Sequence, residues 1–220
     1  MKTVVIASIA GLAASTASAG VLSNNVASNT SRVTTIASDL SGMSVANRGS
    51  TLLSIDISGI NSWDLEGAFD NESITSDIAA ALGAASGTPV GIDGIGWDVS
   101  LDTVGASWLS EATILFDDAD APGSLTSIAL TVGVGDDFAG SASYSSSGVL
   151  DLAGAGLGDI ELSQGNLLLD FFESYDDVAG AIDATFGAGS TLTISAYVVP
   201  APASAALLGL GGLVATRRRR

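Results

Sequence analysis

The chain has 220 residues, of which 24 are acidic and seven are basic, so its formal net charge is −17 at neutral pH. It contains no histidine and no cysteine. These absences exclude Ser-His-Asp and Cys-His catalysis, zinc sites built from His or Cys, and disulfide bonds. The length suits one domain with its own hydrophobic core.

The first 19 residues have the order of parts of a secretory signal peptide. Lys2 supplies a positive charge, an apolar run follows from Val4 to Ala14, and Ala17-Ser18-Ala19 forms a small-residue cleavage site. The apolar run is too short to span a bilayer, which requires about 20 residues. We therefore expect signal peptidase to cleave after Ala19 and the mature protein to be exported.

Acidic and basic residues are separated along the chain. All 24 acids lie between Asp39 and Asp183, and four of the seven basic residues are the terminal run 217–220. Without the signal peptide and this terminal run, 24 acids face two arginines, a formal charge of −22. Such a surface argues against a nucleic-acid partner and suits cations or a salty medium. A solvated acidic surface that only maintains solubility is the alternative.

The remaining sequence divides into a lead-in and a domain. Residues 20–49 are rich in Ser, Thr, Asn and Ala and lack clean periodicity, so they predict a weakly ordered segment with at most a strand or a short helix. From 50 to 198, short alternating apolar runs are separated by clusters of Gly, Asp, Ser and Pro. These runs are STLLSIDISGI, VGIDGIGWDVSLDTV, SWLSEATILF, SLTSIALTV, GVLDLAG, DIELS, NLLLDFFESY and GSTLTISAYVV. Their spacing predicts an all-β domain, an antiparallel β-sandwich.

Two runs carry further detail. SITSDIAAALG fits either one face of a helix or an edge strand, and the sequence does not distinguish them. In VGIDGIGWDVSLDTV the alternation changes phase near Gly94, which predicts a β-bulge. Trp97 is in phase with Ile95 and Val99, so we expect its side chain in the core.

Asp117, Asp118 and Asp120 crowd one predicted turn, FDDADAPG. Calcium binds several carboxylate and carbonyl oxygens and tolerates irregular loops. The spacing is not that of an EF-hand loop, and aspartate is also a favoured turn residue. Calcium is therefore the one cofactor that the sequence suggests, and ordinary turn chemistry is the alternative.

Other residues offer weaker signals for a carbohydrate site. Trp63 and Trp108 lie near predicted strand starts, where exposed rings would stack on sugars and buried rings would belong to the core. Glu111, Glu161 and Glu173 are candidates for the paired carboxyls of a glycosidase. Because nothing selects two acids among 24, we expect no enzymatic activity.

The chain ends in VVPAPASAALLGLGGLVATRRRR, residues 198–220. The apolar stretch 205–215 is about half as long as a stable membrane span, and arginines that follow it stay on the cytoplasmic side. The prolines before it favour an extended, accessible backbone. This order argues against a durable anchor or a basic binding tail. It favours a sorting label with transient membrane association.

The order of motif, short apolar segment and arginine cluster resembles the PEP-CTERM sorting signal of bacteria. The motif consists of Val199, Pro200, Ala201 and Pro202, and family members commonly have glutamate in place of the alanine. The resemblance implies that residues 199–220 are a signal and that exosortase, a membrane cysteine protease, cleaves at the motif. The cytoplasmic part would be Arg217, Arg218, Arg219 and Arg220. The product would reach the cell envelope, the cell surface or the extracellular matrix.

The segments GIGWDVSLDTVGASWLSEATILF and GNLLLDFFESYDD resemble those of exported bacterial proteins that bear this tail. Their order is similar to that of jelly-roll accessory domains such as the proprotein-convertase P-domain. The resemblance implies a jelly-roll sandwich over 50–198, followed by a short apolar helix in the sorting signal. The predicted function is that of a structural or adhesive, non-enzymatic surface or matrix protein. The alternatives are a carbohydrate-binding module for extracellular polysaccharide and a glycoside-active enzyme.

Overall fold

The computed structural model describes residues 26–28, 33–35, 49–177 and 179–200. Within these residues the chain forms strands and one short helix. The strands are β1 (Val26–Ser28), β2 (Val33–Thr35), β3 (Thr51–Asp56), β4 (Asn61–Ser62), β5 (Glu72–Asp77), β6 (Val90–Thr103), β7 (Ala112–Asp118), β8 (Ile128–Thr131), β9 (Ser141–Ser145), β10 (Leu150–Asp151), β11 (Ile160–Leu162), β12 (Asn166–Glu173), β13 (Ala184–Phe186) and β14 (Thr191–Val198), and the helix is α1 (Ile78–Ala81). The predicted signal peptide, with Ala17 and Ala19, lies outside the described residues, as do Ala201, Pro202 and the terminal arginines.

Two sheets pack against each other in the order of a jelly roll. One sheet has the order β1-β5-β12-β7-β8, and the other contains β2-β3-β14-β6, with β9, β10 and β11 also paired to β6. Eight strands form the jelly roll, and we number them one to eight in chain order: β3, β5, β6, β7, β8, β9, β12 and β14. Their order across the two sheets is then 1-8-3-6 and 2-7-4-5. Neighbours among these eight are antiparallel. The predicted antiparallel jelly-roll sandwich is therefore confirmed.

The core lies between the two sheets because alternate residues of each strand point inwards. Leu53 and Ile55 of β3 and Leu169 and Phe171 of β12 are fully buried. Phe171 meets Phe186 of β13 edge to face, with ring centres 5.4 Å apart, and this contact joins the two sheets. The pattern of apolar residues that predicted the strands therefore also supplies the core.

Strand β6 contains the predicted bulge. In its pairing with β14, Ser195 is opposite Gly94 but Ala196 is opposite Ile92, which leaves Asp93 as the extra residue. Trp97 is buried in the core, as its phase predicts. The bulge lets apolar residues on both sides of the phase change face inwards.

The segment with two possible structures adopts both of them. SITSD belongs to β5, and the single turn α1 follows, where the Asp77 carboxylate accepts a hydrogen bond of 2.8 Å from the backbone N–H of Ala80. Among the described residues, no helix is long and apolar enough to cross a membrane. The lead-in supplies two strands: β1 pairs in parallel with β5, and β2 pairs antiparallel with β3.

The jelly-roll path gathers alternate connections at the same end of the sandwich, because successive strands run in opposite directions. Four connections form what we call the upper end: residues 57–71, 104–111, 132–140 and 174–190. The other three form the lower end: residues 78–89, 119–127 and 146–165. Residues far apart in the sequence therefore meet at each end.

Candidate functional site

Acidic side chains from two connections and from the end of β12 meet at the upper end. Glu173 is the last residue of β12 and continues the inward phase of Leu169 and Phe171, so the strand places a carboxyl group inside the sandwich. The β12–β7 register sets Glu173 opposite Ala112, beside Glu111. We call Glu111, Glu173, Asp176, Asp177 and Asp183 the acidic cluster.

Backbone and hydroxyl groups hold these carboxyl groups in place. The Ser62 hydroxyl donates to Oε1 of Glu173, and the Ser107 hydroxyl donates to Oδ1 of Asp183 at 2.7 Å. The backbone N–H of Trp108 donates to Oε2 of Glu111 at 2.7 Å. Each donor is neutral, so the cluster is oriented but its charge is not compensated.

The deepest members of the cluster keep oxygens without a hydrogen-bond partner among the described residues. These atoms are Oε2 of Glu173 and Oδ2 of Asp183, and both residues are almost completely buried. None of the chain's seven basic residues belongs to the described part of the chain. Within that part, only a proton or an external cation can balance these carboxyl groups.

The pKa values show how the cluster accommodates its charge. Burial, aided by the nearby negative charges of Asp183 and Glu111 and opposed by the hydrogen bond from Ser62, raises the pKa of Glu173 to about 8. Burial also raises the pKa of Asp183 and of Glu111 above their ordinary values. At neutral pH, Glu173 therefore keeps its proton and sits as a neutral acid beneath more exposed carboxylates.

Exposed apolar side chains lie at the same end as the acidic cluster. Six of the nine large apolar side chains that are exposed in the described residues lie in upper-end connections, and we call them the apolar rim: Leu65, Phe69, Val104, Trp108, Phe138 and Tyr175. Leu65 forms an isolated β-bridge with Glu173, and the backbone N–H of Leu109 donates to the carbonyl of Phe138 at 3.1 Å. Parts of the rim and of the cluster are therefore neighbours at the upper end.

The two predicted sugar-stacking tryptophans are both at the upper end. Trp108 belongs to the rim and exposes 44% of its surface. Trp63 is half-buried, and its Nε1 is buried without a hydrogen-bond partner among the described residues. The structure thus leaves Trp108 available for stacking, whereas Trp63 lies deeper.

Of the three glutamates considered as glycosidase acids, the structure brings two together. Glu111 and Glu173 share the acidic cluster, whereas Glu161 is an exposed residue of β11, next to the lower end. The sequence did not reveal that Asp176, Asp177 and Asp183 join these two glutamates. The one sequence feature that points to this cluster is Glu173, an acid at a position of NLLLDFFE where the alternation turns the side chain towards the core.

The predicted calcium turn lies at the lower end, and protein donors occupy its carboxylates. The Asp117 carboxylate accepts from the backbone N–H of Gly123 at 2.6 Å and from the Ser124 hydroxyl at 2.9 Å. Asp118 accepts from Ser163 N–H at 2.9 Å, and Asp120 accepts from the neighbouring strand β12. Across the described residues, no group of three or more acidic side chains is arranged to hold a metal ion. These contacts favour turn chemistry over calcium.

The beginning of the predicted sorting motif follows the last strand directly. Val199 and Pro200 are exposed, and the backbone N–H of Val199 donates to the carbonyl of Pro89 at 2.9 Å. Pro89 belongs to the connection before β6, so the chain leaves the domain at the lower end. The acidic cluster and the first two residues of the predicted sorting motif are therefore at opposite ends.

Comparison with known proteins gave no match to any family model, curated protein or solved structure.

Proposed function

We propose that the protein is an exported, non-enzymatic adhesive component of the cell surface or extracellular matrix that binds its ligand at the upper end. The observation that carries the proposal is the apolar rim at the same end as the acidic cluster. Exposed apolar side chains gathered at one place mark interaction sites, whereas single ones are ordinary. Six such side chains from four connections form this rim.

The exit of the chain supports the orientation that adhesion requires. Val199 and Pro200 leave from the lower end and are exposed, which suits a protease that reads an extended motif. Sorting through residues 199–220 would attach or release the domain at that end. The upper end would then face away from the envelope, towards the matrix.

The geometry favours binding over glycoside hydrolysis. Glu111 and Glu173 lie together and the pKa of Glu173 is raised to about 8, which are features that a hydrolase also needs. A general acid must come within hydrogen-bond reach of the substrate oxygen. Glu173 is completely buried, with Oε1 held by the Ser62 hydroxyl. It is therefore placed as a structural acid.

The ligand class that best fits the rim is a polysaccharide. Trp108 and Tyr175 expose large parts of their aromatic side chains, and the flat apolar face of such a ring suits the face of a sugar. Several rings spread over one end allow contact with successive sugars of a chain. The carbohydrate-binding alternative is thus a specific form of the adhesive function.

Binding of purified full-length protein to extracellular polysaccharide tests this proposal. We expect Trp108→Ala to weaken binding about fivefold, because one aromatic contact contributes about 1 kcal/mol. Leu125→Ala is the matched control, since Leu125 is fully exposed in a lower-end connection. If both variants lose the same amount of binding affinity, or if Trp108→Ala binds as tightly as the wild type, the upper end is not the binding site. Release of reducing sugars that Glu173→Gln abolishes would establish the enzyme alternative instead.

Mass spectrometry of the protein from its own cells tests the sorting part. We expect a C-terminus at or near Val199–Pro202 and an N-terminus after Ala19. A mature protein that still carries Arg217–Arg220 would contradict sorting by exosortase, even if the binding results hold.

A further inference from the structure

The upper end combines a concentration of acids with a lack of bases. Twelve of the 24 acidic residues lie in its four connections or directly next to them: Asp56, Asp64, Glu66, Asp70, Glu72, Glu111, Asp136, Asp137, Glu173, Asp176, Asp177 and Asp183. None of the described residues is basic. The electrostatic potentials of like charges add, and the low dielectric constant of the protein strengthens them. This end therefore attracts cations more strongly than a single carboxylate does.

The acids are arranged in two layers. Asp64, Asp176 and Asp177 are half-buried and can be reached from solvent, whereas Glu173 and Asp183 lie almost completely buried beneath them. The buried layer contains the unpartnered oxygens Oε2 of Glu173 and Oδ2 of Asp183, and Oδ1 of Asp176 is also without a partner among the described residues. A positive charge held by the upper layer would therefore lower the electrostatic cost of ionising Asp183, for which the described residues provide no counter-charge, while Glu173 stays neutral.

We propose that the polysaccharide recognised at the upper end carries protonated amino groups, which bind the half-buried carboxylates of the acidic cluster while the sugar rings stack on the apolar rim. This inference rests on the proposed function of polysaccharide binding and specifies its ligand class. It assigns two roles to one surface: the rim binds the sugar face, and Asp176 and Asp177 select the charge.

An amino group fits this surface better than a metal ion or a neutral sugar. A metal ion needs several oxygens converging on one point, and no group of three acids in the described residues offers that arrangement. A neutral sugar brings no charge to balance the carboxylates. An ammonium group donates in three directions with loose geometry, and the aromatic faces of Trp108 and Tyr175 attract cations as well.

The test compares two oligosaccharides of equal length, a glucosamine oligomer and its fully N-acetylated form, by calorimetry with the full-length protein. At about pH 6 an amino group keeps its proton. We expect the wild type to bind the amine form at least about tenfold more tightly, and added salt to reduce that preference. The double variant Asp176→Asn, Asp177→Asn should bind both forms alike.

The matched control is the double variant Asp98→Asn, Glu161→Gln. It removes the same number of charges from exposed residues of β6 and β11, outside the four upper-end connections. It should keep the preference of the wild type, and the melting temperature of each variant shows that it is folded. If the control loses the preference as fully as the cluster variant, attraction is a property of net charge and the proposal is wrong.

Two further outcomes overturn the inference in distinguishable ways. If both oligomers bind equally and Trp108→Ala weakens both, the binding function stands and the amine selection is wrong. If neither oligomer binds, both the amine selection and the proposed polysaccharide recognition at the upper end are wrong. If calcium at about 1 mM raises the melting temperature of the wild type but not of the Asp176, Asp177 variant, the cluster is a metal site instead.

Discussion

Replacing Glu173 with glutamine should change how the stability of the domain depends on pH. Below its ordinary pKa of 4.5, Glu173 is protonated in both the folded and the unfolded chain. Between 4.5 and about 8, the folded chain still holds this proton while the unfolded chain has lost it. The free energy of unfolding therefore falls as the pH rises through this range, and it is highest at the acid side.

The size of the effect follows from the width of that range. Each pH unit costs up to 1.36 kcal/mol for one proton, so about 3.5 units set an upper limit of about 5 kcal/mol. Relaxation of the upper end and entry of water reduce this cost, and we expect about 2–3 kcal/mol. Glutamine keeps an oxygen that can accept from Ser62 and carries no charge at any pH. The free energy of unfolding of the variant therefore does not fall in this way as the pH rises.

Urea denaturation of the wild type and Glu173→Gln at about pH 5, 7 and 8.5 measures the difference directly. We expect the variant to gain about 2–3 kcal/mol relative to the wild type between the lowest and the highest pH. Glu161→Gln, at an exposed position of β11, should follow the wild type. Parallel pH profiles for the wild type and Glu173→Gln would refute the argument that Glu173 is a buried neutral acid.

Three further predictions concern the turn, the sheet and the sorting signal. Asp117→Ala should lower the free energy of unfolding by about 2–4 kcal/mol, because the Gly123 N–H and the Ser124 hydroxyl lose a charged acceptor. Calcium should not change the melting temperature of the wild type if the turn is only structural. In urea denaturation, Gly96→Ala should lower the free energy of unfolding by about 1–3 kcal/mol, because the new Cβ would lie 2.5 Å from the carbonyl oxygen of Gly148. Gly158 has open space around it, so Gly158→Ala should lower the free energy of unfolding by less than about 0.5 kcal/mol. Pro200→Ala should leave the precursor uncleaved on an immunoblot, and normal processing of that variant would contradict the motif.

The strand content of this protein is a local property that the sequence could reveal. Alternation in STLLSIDISGI, NLLLDFFESY and GSTLTISAYVV predicted β3, β12 and β14, and the phase change near Gly94 predicted the bulge. These predictions succeed because neighbouring side chains on a strand point to opposite faces, whatever the rest of the chain does. The short helix α1 was ambiguous, since a single turn is too short to show a helical period.

The candidate site depends on contacts that no local pattern records. Glu111 lies in the connection before β7, whereas Glu173 ends β12 and Asp183 lies in the connection after it, and only the jelly-roll order brings these segments to one end. The same holds for Trp108, whose exposure distinguishes it from the buried Trp97. The sequence alone determined the strands, the sandwich and the excess of acid. The tertiary structure decided which acids are buried together and which aromatic rings stay in solvent, because burial and pKa depend on what packs across the sheets.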